Sequence, residues 1–318
     1  MQLSTIELNS SHSSLLASGT YTRLCSNTLH YSIELSTCYL YSMNLIHPTA
    51  IVHPNALLGD GVTIGPWCLI DAGSTLGDGV VLESRVHVYS GTTVGARSRV
   101  FDGAILGADP QDLKYRGEPS RLVLGEECLV REYCTVNRGT EVSGQTVLGN
   151  RVLLMAYVHV AHDCVLGDDV VLANRVQLGG HVNIGVAATL GGNAAVQQFT
   201  HIGAYSFVGG TLKVERDVPP ASRALGNPVR WAGLNLHALR RFSFSPERIA
   251  RLEQQFRHLF FEGLALEEAV AKLLAAADCD ELLKSFFLRW KGGLVGPERM
   301  SGRNEISPAQ SFVARDSK

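Results

Sequence analysis

From Ile46 to Val214 an aliphatic residue returns at every sixth position. Of the 29 positions so defined, only Asp112 and Glu118 are not Val, Ile or Leu. A period of six is neither the 2 of a half-buried strand nor the 3.6 of an amphipathic helix. It marks stacked hexapeptide rungs, each burying its apolar side against the next, and so a parallel β-helix. Two residues before each large aliphatic stands a small or β-branched residue, as in Ala50, Ala56, Val62, Cys68, Ser74 and, further on, Cys128, Cys134, Thr140, Thr146. Alternate residues of a strand share a face, so both registers point into the column. Gly follows the large residue at Gly59, Gly65, Gly77, Gly167 and Gly185. These glycines are expected at corners with positive φ.

Two stretches interrupt the rungs. Residues 108–121 are polar and break both registers, yet the frame returns unshifted at Leu124. They read as a loop ejected from one corner, and loops on a rigid scaffold are where ligand contacts concentrate. Residues 138–145 are polar and Gly-rich but keep Val142 in register. The column is expected to end near Pro219-Pro220, because proline lacks the N–H that another rung needs. A polar link over 221–230 follows. Then the period becomes helical. Ser245-Pro246-Glu247 reads as N-cap, first-turn proline and first-turn acid. Helices are expected from Pro246, over 264–276 and over 280–291, with a flexible tail over 293–318. The domains are thus a β-helix over 43–220 and a helical cap over 221–292. Residues 1–42 hold 15 Ser or Thr and one Arg. They read as a disordered extension upstream of a start at Met43, with a targeting segment as the alternative.

With 28 basic and 30 acidic residues, the charge balance gives no case for a nucleic-acid partner. No apolar run reaches a membrane span, so an integral membrane protein is not expected. Four of the seven cysteines, Cys68, Cys128, Cys134 and Cys164, stand on the small inward register. They read as reduced core fillers in a cytoplasmic compartment, and Cys–His ligand spacings are absent. No metal and no cofactor is expected.

The polar residues that stand out are His159, His162, Asp163, Asn174, Gly179, Gly180, His181, Gln197 and Gln198. His159 lies between two inward residues and should face outward. An exposed His beside a carboxylate, as in His162-Asp163, is a candidate general base, since the carboxylate fixes the tautomer and stabilises the imidazolium. Gly180 follows His162 by 18 residues, three hexads.

Four runs carry a closer likeness: LLMAYVHVAHDCVLGDDVVLANRVQLGGHVNIG, PQDLKYRGEPS, AVQQFTHIG and GLNLHALRRFSFS. In this order they resemble the UDP-N-acetylglucosamine O-acyltransferases of lipid A synthesis, over residues 43–291. The resemblance implies an all-β left-handed parallel β-helix with a C-terminal α-helical domain, assembled as a homotrimer with active sites between adjacent subunits. It implies transfer of an (R)-3-hydroxyacyl group from acyl carrier protein to the 3-hydroxyl of UDP-N-acetylglucosamine. By the same resemblance His162 is the general base, Asp163 orients it and the Gly180 N–H stabilises the oxyanion. His159, His181 and Gln198 contact sugar and phosphate. Gln111, Asp112 and Lys114 meet the acyl and nucleotide portions, and Asn235 and Arg241 lie near the nucleotide. Gly210 stands where acyl length is limited, and a Gly there leaves room for a longer chain. Gln197 replaces a common His, and His237 stands where an acid is common.

Arg240, Arg241, Arg248, Arg251 and Arg257 give the cap a basic face that could steer an acidic carrier protein. Three other readings compete. One is the UDP-3-O-acylglucosamine N-acyltransferase on the same column, which carries a uridine-binding domain that residues 1–42 are too short to form. Another is a zinc enzyme using His159, His162 and His181, although these fall at different phases of the hexad. The last is a non-catalytic scaffold.

Overall fold

The computed structural model describes residues 43–297. The expectations for residues 1–42 and 298–318 lie outside the described residues. Strands of mostly two residues wind into three parallel sheets, the faces of a column. The first face has eleven strands, from Leu45–Ile46 to Arg230–Leu234. The second has nine, from Ile51–Val52 to Lys213–Val214. The third has eight, from Leu57–Leu58 to His201–Ile202. Partner strands lie one coil of three hexads apart, as in Leu45 with Thr63. Both inward registers fill the axis: Val62, Cys68, Val80, Leu82, Val94 and their successors are buried. The buried thiols of Cys134 and Cys164 are pushed up to about 12 by desolvation, which suits core fillers.

The ejected loops explain why the frame survives them. Across the first loop Thr92 pairs with Leu122, a coil lengthened by two hexads. Across the second, Arg121 pairs with Gln145, a coil lengthened by one. Insertions of whole hexads restore the phase. Val142 keeps the phase by count only: it is 79% exposed, part of the second loop and not of the core.

The corner glycines need correction. Gly59, Gly65, Gly77, Gly167 and Gly185 do not have positive φ. Each is small because the next coil passes too close: a Cβ on Gly65 would stand 2.5 Å from the Glu83 carbonyl oxygen. The left-handed residue comes two positions later and is mostly not glycine. Trp67, Arg85, Tyr133, Asp163, His181 and Phe199 all take it. Such a residue is held by a bond from its own N–H to the preceding coil, as from His181 to the His162 carbonyl at 3.0 Å. That bond and the coil packing offset the roughly 1 kcal/mol or more that the conformation costs.

The end of the column also differs from expectation. Ser222–Leu225 is not a link but a parallel strand on the first face, and Arg230–Leu234 closes that face antiparallel. The helical cap follows as α1 (Leu236–Arg241), α2 (Pro246–Phe261), α3 (Leu266–Ala275) and α4 (Glu281–Phe287). Ser245 caps α2 by accepting from the Arg248 N–H. Leu252, Phe256, Leu259, Leu273 and Leu283 form the cap's own core, which Trp231 joins to that of the column. The start of the expected tail returns to the column: Leu294 and Val295 are buried, and Val295 N–H donates to the Asp217 carbonyl at 2.8 Å. Among the described residues no helix is long and apolar enough to cross a membrane.

Candidate active site

One edge of the column, between the second and third faces, collects the chemistry. The chain crosses it after His159–Val160, after Gln177–Leu178 and after Ala195–Val196. Those three crossings stack His162-Asp163, Gly180-His181 and Gln198-Phe199 on successive coils. Both ejected loops leave from the same edge, after Ile105–Ala108 and after Thr135–Asn137.

His162 and Asp163 form the centre. His162 Nδ1 lies 2.7 Å from Asp163 Oδ2, and the Asp163 side chain is fully buried. Burial pushes the Asp163 carboxyl up. Hydrogen bonds from Ser143, His162 and Thr140 outweigh it and hold the group at about 2. The carboxylate therefore stays charged across the neutral range and accepts the Nδ1 proton of His162, leaving Nε2 as the basic lone pair. On the next coil Gly180 stands against that ring: a Cβ there would meet His162 Cε1 at 2.6 Å. The Gly180 N–H has no acceptor among the described residues, as is also true of the equivalent N–H groups of His162 and Gln198 on this edge, so it is free to donate to a ligand beside the His162 ring.

Around this pair lie two more imidazoles. His181 meets His162 edge-on at 5.1 Å and stacks on Phe199 at 4.5 Å. Burial lowers its pKa, against a smaller upward pull from Asp163 and Asp112. Asp112, on the first loop, is thus among the charges that act on His181. His159 lies on the second face with Nδ1 2.7 Å from the Thr135 hydroxyl, and burial, then the neighbouring His162, lowers it. Gln198 is exposed one coil beyond Gly180, as are Gln111 and Lys114 on the loop.

Other expected site residues sit on different edges of the same chain. Gly210 and Asn174 lie between the first and second faces, so Asn174 does not join the His162 cluster. Arg241 precedes Phe242, whose ring meets that of Tyr205 at 5.2 Å, which puts it on the edge between the third and first faces, among the charges that help hold the Asp169 carboxyl low. Asn235 is buried. Its side chain donates to the Tyr205 carbonyl at 2.9 Å and caps α1 by accepting from Ala238 N–H. Arg248 is not a free docking cation: it forms a two-pronged pair with the buried Asp280 at 2.8 and 2.9 Å.

The three histidines offered as zinc ligands do not converge. The group that does is His162, Asp163 and His181, with ligand atoms within 4.8 Å of one another. In it both carboxylate oxygens of Asp163 already accept hydrogen bonds, from Thr140, Ser143 and His162. This donor set suits an oriented imidazole better than a cation, whose ligands need free lone pairs. Sequence reasoning missed Thr140 and Ser143 as partners of Asp163. The available signal was Thr140 on the small inward register in an otherwise polar stretch.

Comparison with known proteins identifies the family. Residues 145–180 match the family described as bacterial transferase hexapeptide (six repeats). Residues 217–293 match Udp N-acetylglucosamine O-acyltransferase, Domain 2. An acyl-[acyl-carrier-protein]–UDP-N-acetylglucosamine O-acyltransferase of Verminephrobacter eiseniae is 44% identical over 262 residues, covering 80% of this chain and all of its own. The enzyme of the same name from Myxococcus xanthus is 42% identical over 258 residues, with the same coverage. The crystal structure of Francisella novicida UDP-N-acetylglucosamine acyltransferase superimposes with a TM-score of 0.78 at 31% identity, over 83% of this chain and all of that one. Hexad column, helical cap and these relatives lead to one assignment: the chain belongs to the UDP-N-acetylglucosamine O-acyltransferase family.

Proposed function

We propose that this protein transfers an (R)-3-hydroxyacyl group from acyl carrier protein to the 3-hydroxyl of UDP-N-acetylglucosamine, with His162 as general base. His162 Nε2 takes the proton of the sugar hydroxyl as its oxygen attacks the thioester carbon. The Gly180 N–H donates to the oxyanion that forms, a task suited to a fixed backbone donor. The intermediate collapses with loss of the carrier thiolate, which recovers the proton from the imidazolium. Asp163 fixes the ring and stabilises its charged form. His159, His181 and Gln198 hold the sugar and phosphates, and Gln111, Asp112 and Lys114 of the first loop close over the donor. The observation that carries the reading is the Gly180 backbone packed against the His162 ring with its N–H free of any acceptor among the described residues.

The assembly is a homotrimer in this reading. Gly210, Arg241 and His162 occupy three different edges of one column, so a single chain does not bring them to one ligand. A neighbouring copy that presents another edge does, as closed cyclic symmetry allows. Asn235 serves by anchoring the helix that carries Arg241. Acyl carrier protein and a nucleotide sugar as substrates fit the reducing, cytoplasmic compartment expected from the buried thiols.

The test is an assay of purified protein with UDP-N-acetylglucosamine and hydroxyacyl carrier proteins of several lengths, with the product mass measured. The expected product is the 3-O-acyl sugar nucleotide, formed at least about 100-fold more slowly by His162→Ala. Full activity in a folded His162→Ala protein would remove His162 from the chemistry.

A further inference from the structure

We propose that the second ejected loop, residues 138–144, is a positioning device for the catalytic pair, acting through the hydroxyl groups of Thr140 and Ser143. The proposal rests on the reading of His162 as the base. Asp163 lies in the turn between the second and third faces, and its carboxylate would be open to solvent there if the column ran on uninterrupted. Instead the coil beneath it is lengthened by one hexad, and the extra residues fold over it. Thr140 donates to it twice, from N–H to Oδ1 at 2.9 Å and from Oγ1 to Oδ2 at 2.7 Å. The one hydroxyl proton of Ser143 has two acceptors in reach, Oδ1 and the Gln145 carbonyl at 2.8 Å, and the charged oxygen is the stronger acceptor. Thr146, where the third face resumes, accepts the backbone N–H of Asp163 at 2.8 Å. The carboxylate is left with one further hydrogen-bond donor, His162 Nδ1, on the oxygen it shares with Thr140, and His181 Nε2 stands 3.6 Å from that same oxygen.

The loop is built to hold that position. Gly139 has no space for a side chain, since a Cβ would stand 2.3 Å from the Gln145 nitrogen. Gly144 N–H donates to the Thr140 carbonyl at 2.8 Å, which closes the loop on itself. Its root is tied to the first loop. Arg138 donates to the Gly107 and Ser90 carbonyls at 2.8 and 2.6 Å, and Asn137 donates to the Asp109 carbonyl at 2.9 Å. One segment thus fixes the carboxylate behind the base and the base of the loop that carries Asp112 and Lys114.

The hydroxyl donors have a consequence for the base. They take up carboxylate lone pairs and neutralise part of the charge that faces the imidazole. They also restrict the carboxylate to the orientation that selects the productive tautomer.

Full-length Thr140→Val, Ser143→Ala, the double variant and Thr140→Ser should be compared with the parent protein and with His162→Ala. Partners that orient a functional histidine contribute about 10- to 100-fold in metal sites, and a loss in that range is expected for the groups that fix the carboxylate behind His162. Thr140→Val and the double variant are expected to lose kcat in that range with KM for UDP-N-acetylglucosamine unchanged. The acidic limb of their kcat/KM profile is expected to move up. Thr140→Ser restores both. Ser143 is exposed, so Ser143→Ala is expected to read the effect without a folding change. If His162→Ala is inactive while Thr140→Val, Ser143→Ala and the double variant all keep the parent's kcat and acidic limb, the positioning role is overturned and the base assignment stands. If His162→Ala is itself active, the base assignment falls and this proposal with it.

Discussion

The ring of His162 and the backbone of Gly180 touch across one coil of the column: a Cβ on Gly180 would stand 2.6 Å from Cε1 and 2.7 Å from Nε2. Gly180 does not have positive φ, and the three atoms nearest to such a Cβ all belong to the His162 ring. Gly180→Ala is therefore expected to displace the imidazole and leave the strand pairing intact. A shift approaching 1 Å in a reacting group costs about 100-fold. The check is a kcat reduced by about that factor in a protein whose melting temperature matches the parent. Parent-like kcat would show that the ring has room to give way.

Arg248 was expected on a basic docking face, but its guanidinium holds the buried carboxylate of Asp280 in two hydrogen bonds and lies over the Phe244 ring at 4.3 Å. Asp280 also caps α4. Arg248→Glu is expected to loosen the helical cap, at a cost of about 3 kcal/mol or more for breaking a pair with one buried partner. Urea unfolding followed by Trp fluorescence checks this, since Trp231 joins the two cores. The docking idea is better tested at Arg240 and Arg257, which are exposed. Charge reversal there should raise KM for the carrier protein, more so at low salt.

Gly210 faces a tight neighbour. A Cβ there would stand 2.9 Å from the Gly192 carbonyl oxygen, so any side chain must move backbone by a few tenths of an ångström. Gly210→Met is expected to shift acyl preference towards shorter chains and to lose about 1–3 kcal/mol of stability through overpacking. Competition between hydroxyacyl carrier proteins of different lengths reads the first effect, and denaturant unfolding the second. An unchanged chain-length profile would remove Gly210 from length selection.

Much of this was legible in the sequence because a repeat prints its geometry directly. The six-residue period placed the axis residues, and the 18-residue separation of His162 and Gly180 put them on neighbouring coils. What escaped was whatever depends on the third dimension between repeats. Val142 kept the period while leaving the core, since an inserted whole hexad is invisible to phase. Gly65 and its equivalents suggested positive φ, but the neighbouring coil makes them small. The left-handed corner positions, held by inter-coil hydrogen bonds, tolerate Trp67, Asp163 and His181. Thr140 and Ser143 bind a carboxylate some 20 residues away, a contact no local pattern records. Leu294 and Val295 looked like tail because two residues carry no periodicity.

Asp217 sits where that returning segment meets the column. Its N–H donates to the Gly293 carbonyl at 2.9 Å, its carbonyl accepts from Val295, and its side chain accepts from His201 N–H at 2.7 Å. Burial raises its carboxyl to about 6, only partly offset by the His201 bond. An unfolded Asp titrates near about 3.9. Between these values the native state binds more protons than the unfolded state, so stability falls as pH rises from about 4 to about 6 and is level above. Asp217→Asn keeps an acceptor for His201 and removes the charge. It is expected to match the parent near pH 4 and to exceed it at pH 7 by about 1–2 kcal/mol, the two-unit shift discounted for partial exposure. Urea midpoints at both pH values check this. A gain at pH 4 equal to that at pH 7 would assign the effect to something other than ionisation of Asp217.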